Sequence, residues 1–200
     1  MNQTPNILVL GATGKVGNVV LKELKNSKQE TNIVLASRKQ DQVDAWKKEG
    51  KAAVYIDLDN ARTFPEALKG INRIFLIAGY TVAMIHQAKT LVDAAKDAGV
   101  EFIVHLGIFG NGKTTDPHFA WHEIVESYIK SSGIAWSNIH PNTFYDVVPA
   151  MFPVRGGAVQ SFIGDKKTGQ YSFLIQQQNI NQLSLRRTLV LYKKNNHYTV

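Results

Sequence analysis

The chain has no cysteine among its 200 residues. That excludes a disulfide framework, a thiolate metal site and a thiol nucleophile. It has no apolar run near the ~20 residues that a membrane-spanning helix needs. Its start carries no basic stretch ahead of a long apolar segment, because Gly11 cuts the run Ile7-Leu8-Val9-Leu10 short. A soluble, cytoplasmic protein with no membrane partner is expected. Acidic residues are scarce in the last quarter, where residues 151–200 carry 7 Lys and Arg but only Asp165. Residues 1–150 hold 16 basic and 15 acidic side chains, so the net charge of +7 resides almost wholly in the tail. A basic domain built around nucleic acid is therefore not expected.

What is present is an alternation of two periods. Short apolar runs read as strands at Ile7–Leu10, Asn32–Ala36, Ala52–Ile56, Ile74–Ala78, Phe102–Leu106 and Ile134–Ile139. Between them, helical spacing recurs. Val16, Val19, Val20 and Leu24 mark one face, and Val43 and Trp46 lie in a short helix over 41–50. Phe64, Ala67 and Leu68 precede Gly70, and a long helix is predicted over Thr81–Ala98, with Val82, Ile85, Leu91, Val92 and Ala95 near its buried face. Another helix is predicted over Pro117–Ser132, closed by Gly133. Buried strands alternating with helices mean a parallel sheet covered on both faces. Six of them in this rhythm fit an α/β, doubly wound Rossmann sheet of order 3-2-1-4-5-6. Residues 1–150 would form this domain, and ligands would sit beyond the carboxyl ends of the strands.

The first strand runs into Gly11-Ala12-Thr13-Gly14-Lys15-Val16-Gly17. Gly11 allows a tight turn, Gly14 lets backbone approach a phosphate, and Gly17 lets the helix pack close to the strand. The helix start offers N–H groups and a positive dipole end to a pyrophosphate. Gly11, Thr13, Gly14, Lys15, Val16 and Gly17 are therefore candidate dinucleotide-binding residues. The second strand ends Ser37-Arg38-Lys39, with no acid before Asp41. An acid there would hold a ribose 2′-hydroxyl, whereas Ser37 and the Arg38 guanidinium suit a 2′-phosphate, so NADP(H) is expected over NAD(H). The bland alternative is that Arg38 and Lys39 are surface charges. After the third strand, Asp57 would accept from an adenine amino group and Leu58 would cover the ring, while Asp59 is a candidate N-cap. After the fourth, Gly79 gives the cofactor room, and Tyr80 would stack on a ring or cap the core.

Gly11 to Gly17, Arg38, Asp57, the passage Ala67-Leu68-Lys69-Gly70-Ile71 to Leu76, and Ser132-Gly133-Ile134-Ala135-Trp136 leading to Pro141-Asn142-x-Phe144 occur in this order. Together they resemble the NmrA-like family of atypical short-chain dehydrogenases/reductases, over about residues 6–165. The resemblance implies a Rossmann fold, NADP(H) binding and a small C-terminal substrate lobe. The family includes NAD(P)H-dependent quinone and azo-dye reductases, and also sensors that bind the dinucleotide without turning it over. The expectation is a reductase of small electrophiles. The alternative is a regulator that reports NADP(H) to a protein partner.

Two departures concern catalysis. Typical short-chain dehydrogenases carry Tyr-x-x-x-Lys on the helix after the fifth strand; none of the 7 tyrosines here has Lys four places on. The equivalent helix reads His118-Phe119-Ala120-Trp121-His122, and i,i+4 spacing puts the two histidines on one face. The resemblance places a lysine where His122 stands, a serine where Gly107 stands and an arginine where His140 stands. His118 and His122 are the candidate catalytic residues, with His122 near the nicotinamide ribose; the alternative is that His122 only packs. Glu126 shares that face, yet three ligands on one straight helix diverge, so no metal is expected. By resemblance Pro141, Asn142 and Phe144 cover the nicotinamide; Phe109, Gly110, Asn111 and Gly112 read as a flexible glycine-rich loop that would flank substrate. From Gln170 the chain becomes Gln/Asn-rich and basic and stops reading as the family's lobe. Residues 151–200 are expected to be a remnant or a diverged form of that lobe; on the first reading residues 170–200 derive from a frameshift or altered splice and leave the substrate pocket incomplete.

Overall fold

The computed structural model describes residues 4–109 and 116–141, together with the backbone of three strands at 154–155, 158–159 and 174–178. The strands β1 (Asn6–Val9), β2 (Asn32–Ser37), β3 (Ala53–Tyr55), β4 (Arg73–Leu76), β5 (Phe102–Leu106) and β6 (Ala135–His140) pair in parallel in the order 3-2-1-4-5-6. Two short strands, β7 (Val154–Arg155) and β8 (Ala158–Val159), pair with each other. The strand β9 (Leu174–Gln178) adds antiparallel to β6, with Trp136 opposite Gln178 and His140 opposite Leu174. The seventh strand of the sheet thus comes from the Gln-rich segment, which lacks the apolar runs that identified the other six.

Helices cover both faces, which is why β1 is buried along its length from Ile7 to Val9. On one face α1 (Lys15–Asn26) and α2 (Gln40–Lys48) bury Val20, Val43 and Trp46 against Ile7, Val9 and Phe75. On the other, α3 (Phe64–Ala67), α4 (Met84–Asp97) and α5 (Pro117–Ser131) bury Phe64, Met84, Leu91, Val125 and Ile129 against Leu8, Ile74 and Ile103. Gly99, with φ +77°, and Gly133, with φ +85°, close α4 and α5 in left-handed backbone. Asp116 caps α5, its Oδ1 accepting from the His118 N–H at 2.9 Å, and Pro117 takes the first helical position.

Two helical faces differ from the pattern read in the sequence. Val19 is 60% exposed, and Leu21 packs inward instead. The cause is Gly17, which must face Gly11 and so turns the stripe of α1 toward residues 17, 20 and 24. Val82 is 87% exposed because α4 begins only at Met84. Thr81 builds a turn first, its Oγ1 accepting from the Ala83 N–H at 3.1 Å and its carbonyl from the Met84 N–H at 3.1 Å. Among the described residues, no helix is long and apolar enough to cross a membrane.

Candidate functional site

The turn after β1 is shaped by contact between its own glycines. Gly11 has φ +67°, in the region L side chains avoid, and its carbonyl accepts from the Gly14 N–H at 2.9 Å. A Cβ on Gly17 would stand 2.0 Å from that carbonyl oxygen, and one on Gly14 would stand 3.3 Å from it. The backbone of α1 therefore lies directly on the turn, and only glycine fits at residue 17. Gly14 is the N-cap and offers no side-chain cap, and the first turn of α1 holds no acidic residue. Lys15 and Val16 form that turn. Such a helix start receives an anion.

A cleft of about 490 Å³ opens beside this turn, along the carboxyl ends of β1 to β4. Gly11, Thr13, Ser37, Arg38, Asp57, Leu58 and Gly79 all line it, so the structure brings together residues from four strand ends. Ser37 Oγ accepts from the Lys39 N–H at 3.1 Å, which curls the chain after β2 and sets Arg38 and Lys39 on the rim. Asp57 Oδ1 accepts from the Asp59 N–H at 3.1 Å. Asp59 is not the N-cap considered for it: Asn60 takes that role, accepting from the Arg62 N–H at 3.2 Å. Asp59 instead accepts from Gln87 Nε2 at 2.5 Å. Gln87, Lys39, Gln42, Ile77 and Thr81 also line the cleft and were not singled out from sequence as ligand-binding. Gln87 had a signal, being a polar residue on the buried stripe of α4 between Met84 and Leu91.

Tyr80 does not line this cleft. It is 75% exposed, and its ring meets the edge of His118 at 4.2 Å between centroids. His118 is half-buried, and desolvation lowers its pKa, opposed by the charge of Asp116. His122 stands one turn further in, with ring centroids 4.7 Å apart. It is buried, and its pKa falls to about 4, first by burial and then through His118 and His140. Behind it, 5.4 Å away, lies His105 of β5. His105 is fully buried with a pKa lowered to about 3, again chiefly by burial and then by His122 and His140, with Asn138 pulling weakly the other way. Neither ring nitrogen of His105, nor either side-chain heteroatom of Asn138, its register partner on β6, has a well-formed hydrogen bond.

Glu126 and His140 complete this group through a 2.6 Å hydrogen bond between Oε1 and Nε2. That bond explains Gly107, since a Cβ there would lie 2.6 Å from Glu126 Oε1 and 3.0 Å from His140 Cδ2. His105, Glu126 and His140 were not grouped from sequence because they converge from β5, α5 and β6. Among the described residues, no group of three or more His, Asp or Glu side chains is arranged to hold a metal. Pro141 is buried, and its carbonyl accepts from the Phe109 N–H at 3.1 Å. Asn142, Phe144 and Gly110 to Gly112 lie outside the described residues.

The chain is 29% identical over 140 residues to the NAD(P)H azoreductase of Xenophilus azovorans, covering 69% of this chain and 48% of that one. It is 27% identical over 133 residues to quinone oxidoreductase 2 of Escherichia coli, covering 66% and 46%. It thus spans about half the length of the curated relatives it matches. The Citrobacter sp. triphenylmethane reductase complexed with NADP(H) shares the fold, with a TM-score of 0.64 at 22% identity over 71% of this chain and 50% of that one. The profile of the NmrA-like family matches residues 3–161, and the chain belongs to that family.

Proposed function

We propose that this chain binds NADPH in the cleft along β1 to β4 and uses it to reduce small electrophiles of the quinone or azo class by hydride transfer. The observation that carries the first half is the composition of one cleft. A close-packed glycine turn at an uncapped helix start shares it with Ser37, Arg38 and Lys39, and no carboxylate follows β2 directly. Gly11, Thr13, Gly14, Lys15, Val16 and Gly17 would hold the pyrophosphate by backbone N–H groups and the helix dipole. Ser37 and Arg38 would hold the 2′-phosphate, Arg38 by its planar fork. Asp57 would accept from the adenine amino group, and Leu58 would cover the ring. Gly79 leaves space for the ribose.

When bound, the nicotinamide supplies the hydride. His122 and Pro141, with Asn142 and Phe144, would orient that end, with His118 one helical turn before His122. Such a reduction needs mainly positioning and exclusion of water, so the missing Tyr-x-x-x-Lys is no bar to it. The named activities of the azo and quinone reductases are the support for the acceptor class.

Calorimetric titration with NADPH and NADH, in the wild-type chain and in Arg38→Ala, tests the cofactor half. NADPH should bind more tightly, and the substitution should erase the difference; equal affinities in both proteins would defeat the assignment. Steady NADPH consumption with a quinone and azo panel tests the second half. Tight binding with no turnover would point instead to a sensor.

A further inference from the structure

Five histidine and glutamate side chains from three elements lie in series between α5 and the ends of β5 and β6, and binding of a dinucleotide explains none of their mutual contacts. His118 is half-buried, His122 follows at 4.7 Å and His105 at 5.4 Å beyond it. His140 stands two residues beyond Asn138, the register partner of His105 on β6, and so on the same face of the sheet as His105, and it is bonded to Glu126 at 2.6 Å. Glu126 in turn reaches Lys130 at 4.0 Å, and Lys130 is partly exposed. The series therefore runs from the start of α5, beside Tyr80 and Asp116, through the interior to the partly exposed Lys130.

We infer that this series is a proton path, ending at His118, that delivers the proton a two-electron acceptor requires along with its hydride. The inference rests on the reductase reading above. Reduction of a quinone or azo compound by one hydride leaves an anionic oxygen or nitrogen, which must take one proton. As the His118 N–H bond breaks and the acceptor's O–H or N–H bond forms, the other His118 ring nitrogen takes a proton from the His122 side, so the ring stays neutral, and His122 is resupplied from solvent in the same way through the Glu126 side. The nicotinamide is oxidised, the acceptor is reduced, and the sum is one hydride and one proton transferred.

The chemistry of the residues fits this role better than a structural one. A neutral imidazole has one donor and one acceptor nitrogen, so it passes a proton by taking one at one side and releasing one at the other. Burial keeps His122 and His105 neutral, and charge is not trapped along the way. An ammonium at residue 122 is a donor with no lone pair and could not relay. A purely structural buried histidine would be expected to have its nitrogens satisfied, yet among the described residues His118 Nδ1 and His122 Nδ1 have no hydrogen-bond partner. One bridging water between neighbouring rings would satisfy them and complete the path.

The test uses the full chain as wild type, His118→Ala, His118→Phe and His122→Gln. Without cofactor, imidazole nitrogen NMR should show His105 neutral at pH 6 and a His118 titration that moves when His122 becomes Gln. A His118 titration identical in both proteins would overturn the path. With NADPH and a water-soluble naphthoquinone, His118→Ala should keep its NADPH affinity and lose turnover by about tenfold or more. Free imidazole should restore much of that loss in His118→Ala and little in His118→Phe. Turnover of His118→Ala within twofold of wild type, or a loss that tracks NADPH affinity and resists imidazole, overturns the path alone. A wild-type chain that reduces no quinone or azo compound overturns the reductase reading and the path with it.

Discussion

Glu126 and His140 share a 2.6 Å hydrogen bond in the space that a side chain at residue 107 would need. Only the absence of a side chain at Gly107 leaves room for this buried pair. Gly107→Ser should force Glu126 off His140, because the new Cβ would lie 2.6 Å from Oε1. Both groups are at least nine-tenths buried, so the loss should be about 1–3 kcal/mol, read as a lowered midpoint in urea. If the clash is the cause, Gly107→Ser in an Glu126→Ala background should cost less than in the wild type.

The glycine turn allows a contrast between crowding and backbone strain. Gly17→Ala places a methyl group 2.0 Å from the Gly11 carbonyl oxygen, which cannot move without opening the turn. A loss of about 3 kcal/mol or more is expected, together with loss of NADPH binding by calorimetry. Gly50→Ala adds a methyl group with nothing within 4 Å, so only its left-handed φ of +75° matters. About 1 kcal/mol is expected there, with NADPH affinity unchanged.

The buried histidines set an acid limit. His105 has a folded pKa near 3 against 6.5 for the free side chain, so the unfolded chain binds a proton that the folded chain refuses. Stability is full above pH 6.5 and falls progressively as the pH drops from 6.5 toward 3. The slope is roughly 1.4 kcal/mol per pH unit from this residue, and His122 adds to it down to about pH 4. Urea midpoints measured from pH 7 to pH 4 should fall steeply, and His105→Leu should flatten the curve.

Arg38→Asp should reverse the cofactor preference. A carboxylate at the end of β2 accepts from a ribose 2′-hydroxyl and repels a 2′-phosphate. NADPH affinity should fall by about a hundredfold or more while NADH affinity holds or rises, as measured by calorimetry; equal losses for both would mean that Arg38 supports the turn rather than the phosphate.

The sheet order was legible because each apolar run was short, bounded by glycine or a polar turn, and followed by helical spacing. That Gly11, Thr13, Ser37 and Arg38 line one cleft was legible for a related reason: they lie at consecutive strand ends, within 11–17 and 37–38. Val19 and Val82 misled because both are apolar at helical spacing, and the contact of Gly17 with Gly11 and the turn at Thr81 override that spacing. The edge strand β9 has no apolar run to find, since three of its five residues are Gln176, Gln177 and Gln178. The group of His105, Glu126 and His140 was not legible because nothing along the chain relates a strand residue to a helix residue 21 positions later and a second strand 14 beyond that.

The bond from the Phe109 N–H to the Pro141 carbonyl, with that from the Gly107 N–H to the Ile139 carbonyl at 2.9 Å, extends the β5–β6 ladder past the last strand residues. The two chain segments leave the sheet fastened together like the two sides of a seam. Any displacement of Pro141 toward or away from a ligand is then transmitted to Phe109, and the Phe109 amide becomes an indicator of what happens at Pro141. Its hydrogen exchange should slow when a ligand holds Pro141 in place, giving a one-residue gauge of occupancy that needs no turnover.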